Sequence, residues 1–101
     1  MTESEIKKEL AAFLDENGRL TQFPKKRKKQ IYVLFYIAPK IEKGRVYTEK
    51  EINEILEGLH TFSDCCRLRR DLCDCGFMRR EKDGSAYMMN EVFPTQEELI
   101  R

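Results

Sequence analysis

Three observations in the sequence predict an α+β fold of winged helix-turn-helix type, with helices, one short strand and a C-terminal β-hairpin wing. Thr2 with Glu5 and Thr48 with Glu51 each have the spacing of a capping box, and each precedes apolar residues at helical intervals. Between residues 44 and 76 the chain reads as short strand, helix and helix, the last stopped by Gly76. FMRRE and AYMMN then flank the turn KDGS, which is the pattern of a hairpin.

The chain has 101 residues, 41% of them apolar, and this supports a single core. Folding of such a chain buries roughly two-thirds of its unfolded surface. Charged residues make up 37%, yet the net charge is +1, so the composition is globular and too balanced for a generic polyanion binder. Partners must therefore be argued locally. The start MTESEIKKEL has no apolar block behind a basic segment, so no secretory signal is expected. The longest apolar run, IYVLFYIA, is too short to span a bilayer. All four cysteines lie between 65 and 75, and a cytoplasmic chain with reduced thiols is expected.

Taken in order, Ile6, Leu10, Phe13 and Leu14 form the apolar face of a net-acidic first helix, about 3–16, closing at Asn17-Gly18. GRLTQFP is a connector, and 17–24 is the one candidate linker. Pro24 fits the first position of a second helix, where its missing N–H costs nothing, and that helix runs to about Ala38. It is apolar on every side, which places it centrally or at an oligomer interface. RVY at 45–47 is a short strand. Ile52, Ile55, Leu56 and Leu59 face the core from a third helix ending near Gly58. A fourth helix spans about 63–75, and the tail forms a last helical turn after Thr95. The organisation is an N-terminal helix (1–17), a winged-helix-like domain (18–94) and a tail (95–101).

GRL followed by FPKKRKKQ, then GRVYTEKEINEIL, then D-x-x-x-LRR-x-L-x-x-x-G and R-x-K-x-G-x-x-Y form a set that resembles a bacterial winged-helix-like family of unknown function. The resemblance covers about 18–88. Members occur alone or appended to arsenic-repressor-type and other helix-turn-helix regulators, which implies a place in transcription. The cysteines do not belong to the family pattern.

Those cysteines are read first as packing residues. Structural zinc sites use ligand pairs two to four residues apart in knuckles that let the sulfurs converge. Here Cys65 and Cys66 are adjacent, and Cys73 and Cys75 are split by one residue. On one helix, Cys65, Leu68, Leu72 and Cys75 form a core stripe, whereas Cys66 and Cys73 stand about 10 Å apart along the axis. One ion cannot collect all four, so no metal and no cofactor is expected.

In a winged helix the second helix of the helix-turn-helix enters the major groove, where arginine reads guanine with two hydrogen bonds. Arg67, Arg69 and Arg70 are the candidates for that role. Against them, Asp71 and Asp74 follow Arg67 and Arg70 by one turn, and Glu49, Glu51, Glu54 and Glu57 make the preceding helix acidic. Lys25, Lys26, Arg27, Lys28 and Lys29 sit where the macrodipole disfavours cations, so they need an anion. Phosphate would serve, and so would Glu3, Glu5 or Glu9 of the first helix. Arg79, Arg80 and Lys82 on the wing are further phosphate candidates.

No nucleophile–base pair and no phosphate-binding glycine loop is present, and His60 reads as a cap or a satisfied surface group, so no enzyme is expected. The function predicted is transcription-regulator-like binding of double-stranded DNA. The rival is a winged-helix module for a protein partner or homodimer, with the apolar second helix in the interface; neither reading involves a membrane.

Overall fold

Helix, strand, helix, helix and hairpin follow one another in the predicted order, preceded by a short helix that completes the core. The structure is a computed structural model and describes residues 3–82 and 86–99. The elements are α1 (Glu3–Glu9), α2 (Arg27–Ile37), β1 (Val46–Tyr47), α3 (Glu49–Glu57), α4 (Cys65–Asp74), β2 (Met78–Arg80), β3 (Tyr87–Met89) and α5 (Gln96–Leu99). The strands form one antiparallel sheet in the order β1-β3-β2. Its register pairs Val46 with Met88 and Met78 with Met89. The Thr2 capping box and the centre of the hairpin turn, 83–85, lie outside the described residues.

α1 is shorter than predicted. It stops at Glu9, a 3-10 turn covers Ala11–Phe13, and Leu14 bridges back to Leu20. The turn at Gly18 has φ +78, and the Tyr36 hydroxyl donates to the Gly18 carbonyl at 2.8 Å. A Cβ at Gly18 would meet that same hydroxyl oxygen at 3.1 Å, so both the dihedral and the close approach call for glycine.

The expected linker at 17–24 is instead pinned to the core. Leu20 is fully buried, its N–H bonds the Leu59 carbonyl at 3.0 Å, and its own carbonyl takes the Thr61 N–H at 2.8 Å. Arg19 Nη2 reaches the His60 carbonyl at 2.8 Å and the Glu57 carbonyl at 3.2 Å, satisfying acceptors that the end of α3 leaves open. Pro24 stands three residues ahead of α2 rather than at its first position. The Gln30 amide reaches back to the Pro24 carbonyl at 2.9 Å and fastens that entry.

α2 is the central element. Ile31, Tyr32, Val33, Leu34, Tyr36 and Ile37 are all buried, and Phe35 packs edge-on against Phe77 at 5.0 Å. The chain's own elements therefore cover the apolar faces that suggested an oligomer interface. Ile6 and Leu10 join the same core from α1, so the N-terminal helix is integral to the folded body. Among the described residues no helix is long and apolar enough to cross a membrane.

α3 starts with the predicted capping box: Glu51 N–H donates to Thr48 Oγ1 at 3.1 Å, and Thr48 N–H to Glu51 Oε1 at 3.0 Å. Those bonds, with the Arg45 guanidinium as a lesser cause, hold the Glu51 carboxyl below the usual glutamate range.

Candidate nucleic-acid interface

The turn between α3 and α4 is built around His60, which is buried and not at the surface. Its Nε2 accepts the Asp64 N–H at 2.9 Å, so Nδ1 carries the proton and donates to the Leu56 carbonyl at 2.6 Å. Asp64 in turn caps α4 by accepting the Arg67 N–H. One imidazole thus ties the last turn of α3 to the first residue ahead of α4. Leu68 and Leu72 are fully buried beneath α4, and Gly76, at φ +88, ends it in the left-handed region. The outward side of α4 is therefore determined: with about 100° per residue, Arg70, Asp74 and Arg67 lie opposite the leucines.

The three candidate arginines of α4 have different fates. Arg70 is exposed and has no carboxylate partner among the described residues. Arg67 lies over the Phe23 ring, 4.4 Å from its centroid, with Nε 3.9 Å from Asp71. Arg69 turns to α3: it donates to Asn53 Oδ1, pairs with Glu49 at 3.2 Å and lies near the Tyr87 ring, joining α3, α4 and β3.

The acids of α4 are also unequal, which alters the neutral face expected from their spacing. The Asp71 side chain is only 14% exposed and sits between Arg67 and Arg27, each 3.9 Å away. Its charge is answered by two guanidinium groups and withdrawn from the surface. Asp74 alone remains exposed on the outer strip.

The basic block divides in the same way. Lys29 turns to α1 and bonds Glu9 Oε2 at 2.6 Å, as the intramolecular alternative predicted. Arg27 leans on α4, with Nη2 3.3 Å from Cys75 Sγ. Lys28 stands over Tyr32, 5.9 Å from the ring centroid. Lys25 and Lys26 are exposed, with no carboxylate partner among the described residues. The Lys29 bond and charge pull Glu9 below its ordinary value. Lys29→Gln should therefore raise the Glu9 pKa towards the usual range in a carboxyl NMR titration. Any stability from a lowered carboxyl is present above its unfolded pKa and lost as pH falls through the folded one, so the variant should be less sensitive to acid than the parent.

A cleft of about 780 Å³ separates α4 from the wing. Arg69 and Arg70 line it from α4, and Arg79 and Arg80 from β2. Arg79 Nη2 rests 2.8 Å from Met88 Sδ, and Arg80 has no carboxylate partner among the described residues. Among the described residues Asp74 is the one carboxylate in the lining. Lys82 is exposed beside the hairpin turn and outside this cleft. The sequence pointed to these arginines but not to Tyr87 and Asn90 at the base of the cleft. Only the hairpin register brings those two across from α4.

The cysteines follow the helical face. Cys65, Cys73 and Cys75 are half-buried against the core, and Cys66 is exposed. All four are free thiols, and burial pushes Cys65, Cys73 and Cys75 up, so they stay protonated at neutral pH. Among the described residues no three His, Cys, Asp or Glu side chains gather into a metal-binding group.

The outer strip of α4 is therefore bordered on one side by Arg27, which follows the exposed Lys25 and Lys26 in the chain, and on the other by the arginine-lined cleft. No curated protein and no solved structure matches the chain. A family model described as an uncharacterized protein conserved in bacteria, DUF2087, matches residues 19–89, from the connector through β3, and the chain belongs to that family.

Proposed function

We propose that this chain is a non-catalytic, transcription-regulator-like module that binds double-stranded DNA, with α4 directed to the major groove and the cationic groups beside it on phosphate. One observation carries the reading: the exposed strip of α4 runs between two sets of cations that largely lack acidic partners. Arg70 is the side chain placed to reach a base edge, with Arg67 beside it. Arg27 adjoins one side at Asp71, with Lys25, Lys26 and Lys28 next to it in the chain, and Arg79 and Arg80 line the other, with Lys82 beyond them on the hairpin. The acidic outer face of α3 limits the footprint to this ridge. The rival interaction-module reading loses its main support, because the chain's own core covers the apolar faces of α2.

Fluorescence anisotropy with a random-sequence duplex tests the proposal. Binding should be strong at about 50 mM salt and fall steeply by about 200 mM, because each phosphate contact releases counterions. Absence of binding at the lower salt would overturn the DNA reading in favour of the interaction module.

A further inference from the structure

His60 is the chain's one histidine, and both of its ring nitrogens are bonded to backbone groups in a site only 2% exposed. A backbone N–H can only donate and a carbonyl can only accept, so those partners admit a single state of the ring, neutral with its proton on Nδ1. A second proton, on Nε2, would set two donors against each other in a buried turn.

The two bonds respond oppositely to that proton. The bond from Nδ1 to the Leu56 carbonyl, 2.6 Å, strengthens when the ring is charged. The bond from the Asp64 N–H to Nε2, 2.9 Å, is abolished. The His60 backbone is fixed on the α3 side: Arg19 Nη2 holds its carbonyl at 2.8 Å, and Leu20 bonds Leu59 and Thr61 to either side of it. Movement therefore falls on Ser63 and Asp64. Ser63 has φ +53, a left-handed conformation that serine holds at a cost, so release of Asp64 lets the turn relax. Asp64 also caps α4 through the Arg67 N–H at 3.3 Å, and the first turn of α4 loosens with it.

Among the described residues, the charged and titratable groups around the ring are Arg19 from the connector, Glu57 from α3, and Asp64 and Cys65 at the start of α4. Beyond the Phe62 ring, 4.5 Å from that of His60, come Phe23 and the Arg67 guanidinium over it. Arg19 is bonded to backbone carbonyls, and the Asp64 carboxylate to the Arg67 N–H. Glu57 opposes Arg19 in charge. The backbone hydrogen bonds thus select the neutral ring.

We infer that His60 is a proton-sensitive latch of the turn between α3 and α4: neutral, it fastens the start of α4 to α3, and a proton on Nε2 releases Asp64 and the first turn of α4. The latch stands on the turn alone. Its consequence, that acid weakens duplex binding by loosening α4, rests on the proposed DNA reading.

NMR of the labelled full chain between about pH 7.5 and about pH 5 tests the latch, in the interval where histidine is the side chain that ordinarily changes charge. At the upper end the ring should be the Nδ1–H tautomer. As it takes its second proton, amide protection at Asp64, Arg67 and Leu68 should fall about tenfold, while α2 keeps its protection. An Nε2–H tautomer at neutral pH, or a protonated ring with those amides unchanged, overturns the latch. So does equal loss of protection in α2, which would show the whole core opening. H60Q cannot take the proton, so its amides at 64–68 should not respond to pH, and a response equal to the parent's overturns the latch. S63G takes the left-handed conformation without strain and should need a lower pH for the same release. Release at the parent's pH overturns the part assigned to Ser63. Duplex affinity at constant salt should fall about tenfold over the same interval in the parent and stay level in H60Q. Release of the amides with level duplex affinity overturns the coupling to DNA and keeps the latch. Release without duplex binding at any pH defeats the DNA reading and leaves the latch intact.

Discussion

Leu72→Ala should destabilise the fold by roughly 2–5 kcal/mol, the range for a large-to-small change in a closed core. Leu72 is fully buried beneath α4 and its carbonyl accepts the N–H of Phe77, which packs edge-on against Phe35 at 5.0 Å and Phe93 at 5.2 Å. Rigid neighbours of this kind collapse poorly into a cavity, which favours the upper part of the range. Arg70→Ala, on the opposite side of α4, should change stability by less than about 0.5 kcal/mol, as surface substitutions usually do. Urea denaturation of the two variants checks the pair. Equal losses would show that α4 presents a different face to the core.

The second large effect concerns the lysines before and within the first turn of α2. Replacing Lys25, Lys26 and Lys28 by Gln should weaken every duplex to a similar degree, on the order of a hundredfold at moderate salt if all three meet phosphate. The slope of log affinity against log salt should flatten by about 0.9 for each lysine that no longer neutralises a phosphate. Lys29→Gln is the internal control. Its ammonium is bonded to Glu9 at 2.6 Å, so its removal should leave the slope nearly unchanged. A triple variant with the parent's duplex affinity at low salt would remove the block from the interface. Weakening confined to particular sequences would assign these lysines to base reading instead.

Several elements of the fold are legible in the sequence because their causes are local. The Thr48 capping box, the stop at Gly76 and the apolar spacing of α3 and α4 each depend on residues within about one or two turns of one another. Sequence and structure part where distant residues intervene. The first helix ends early because Leu14 turns back to bridge Leu20, and the 17–24 segment is pinned because Leu20 bonds the chain between Leu59 and Thr61. His60 reads in the sequence as a cap or a satisfied surface group; it does bond the last turn of α3, but two backbone groups bracket its ring and allow it to be buried.

The candidate interface divides along the same line. The sequence by itself determined the order of the elements, the buried stripe of α4 and therefore its outward strip, because helical period and short-range capping act through neighbouring residues. It also supplied the inventory of cations. Only the tertiary structure decided how each cation is used: Lys29 is committed to Glu9, Arg69 to Glu49 and Asn53, and Asp71 is enclosed by Arg27 and Arg67. It likewise brought Arg79 and Arg80 opposite Arg70 across one cleft. Charge pairing depends on distances of a few ångströms between groups far apart in the chain, and those distances are set by how α1, α3 and the wing pack around α2 and α4.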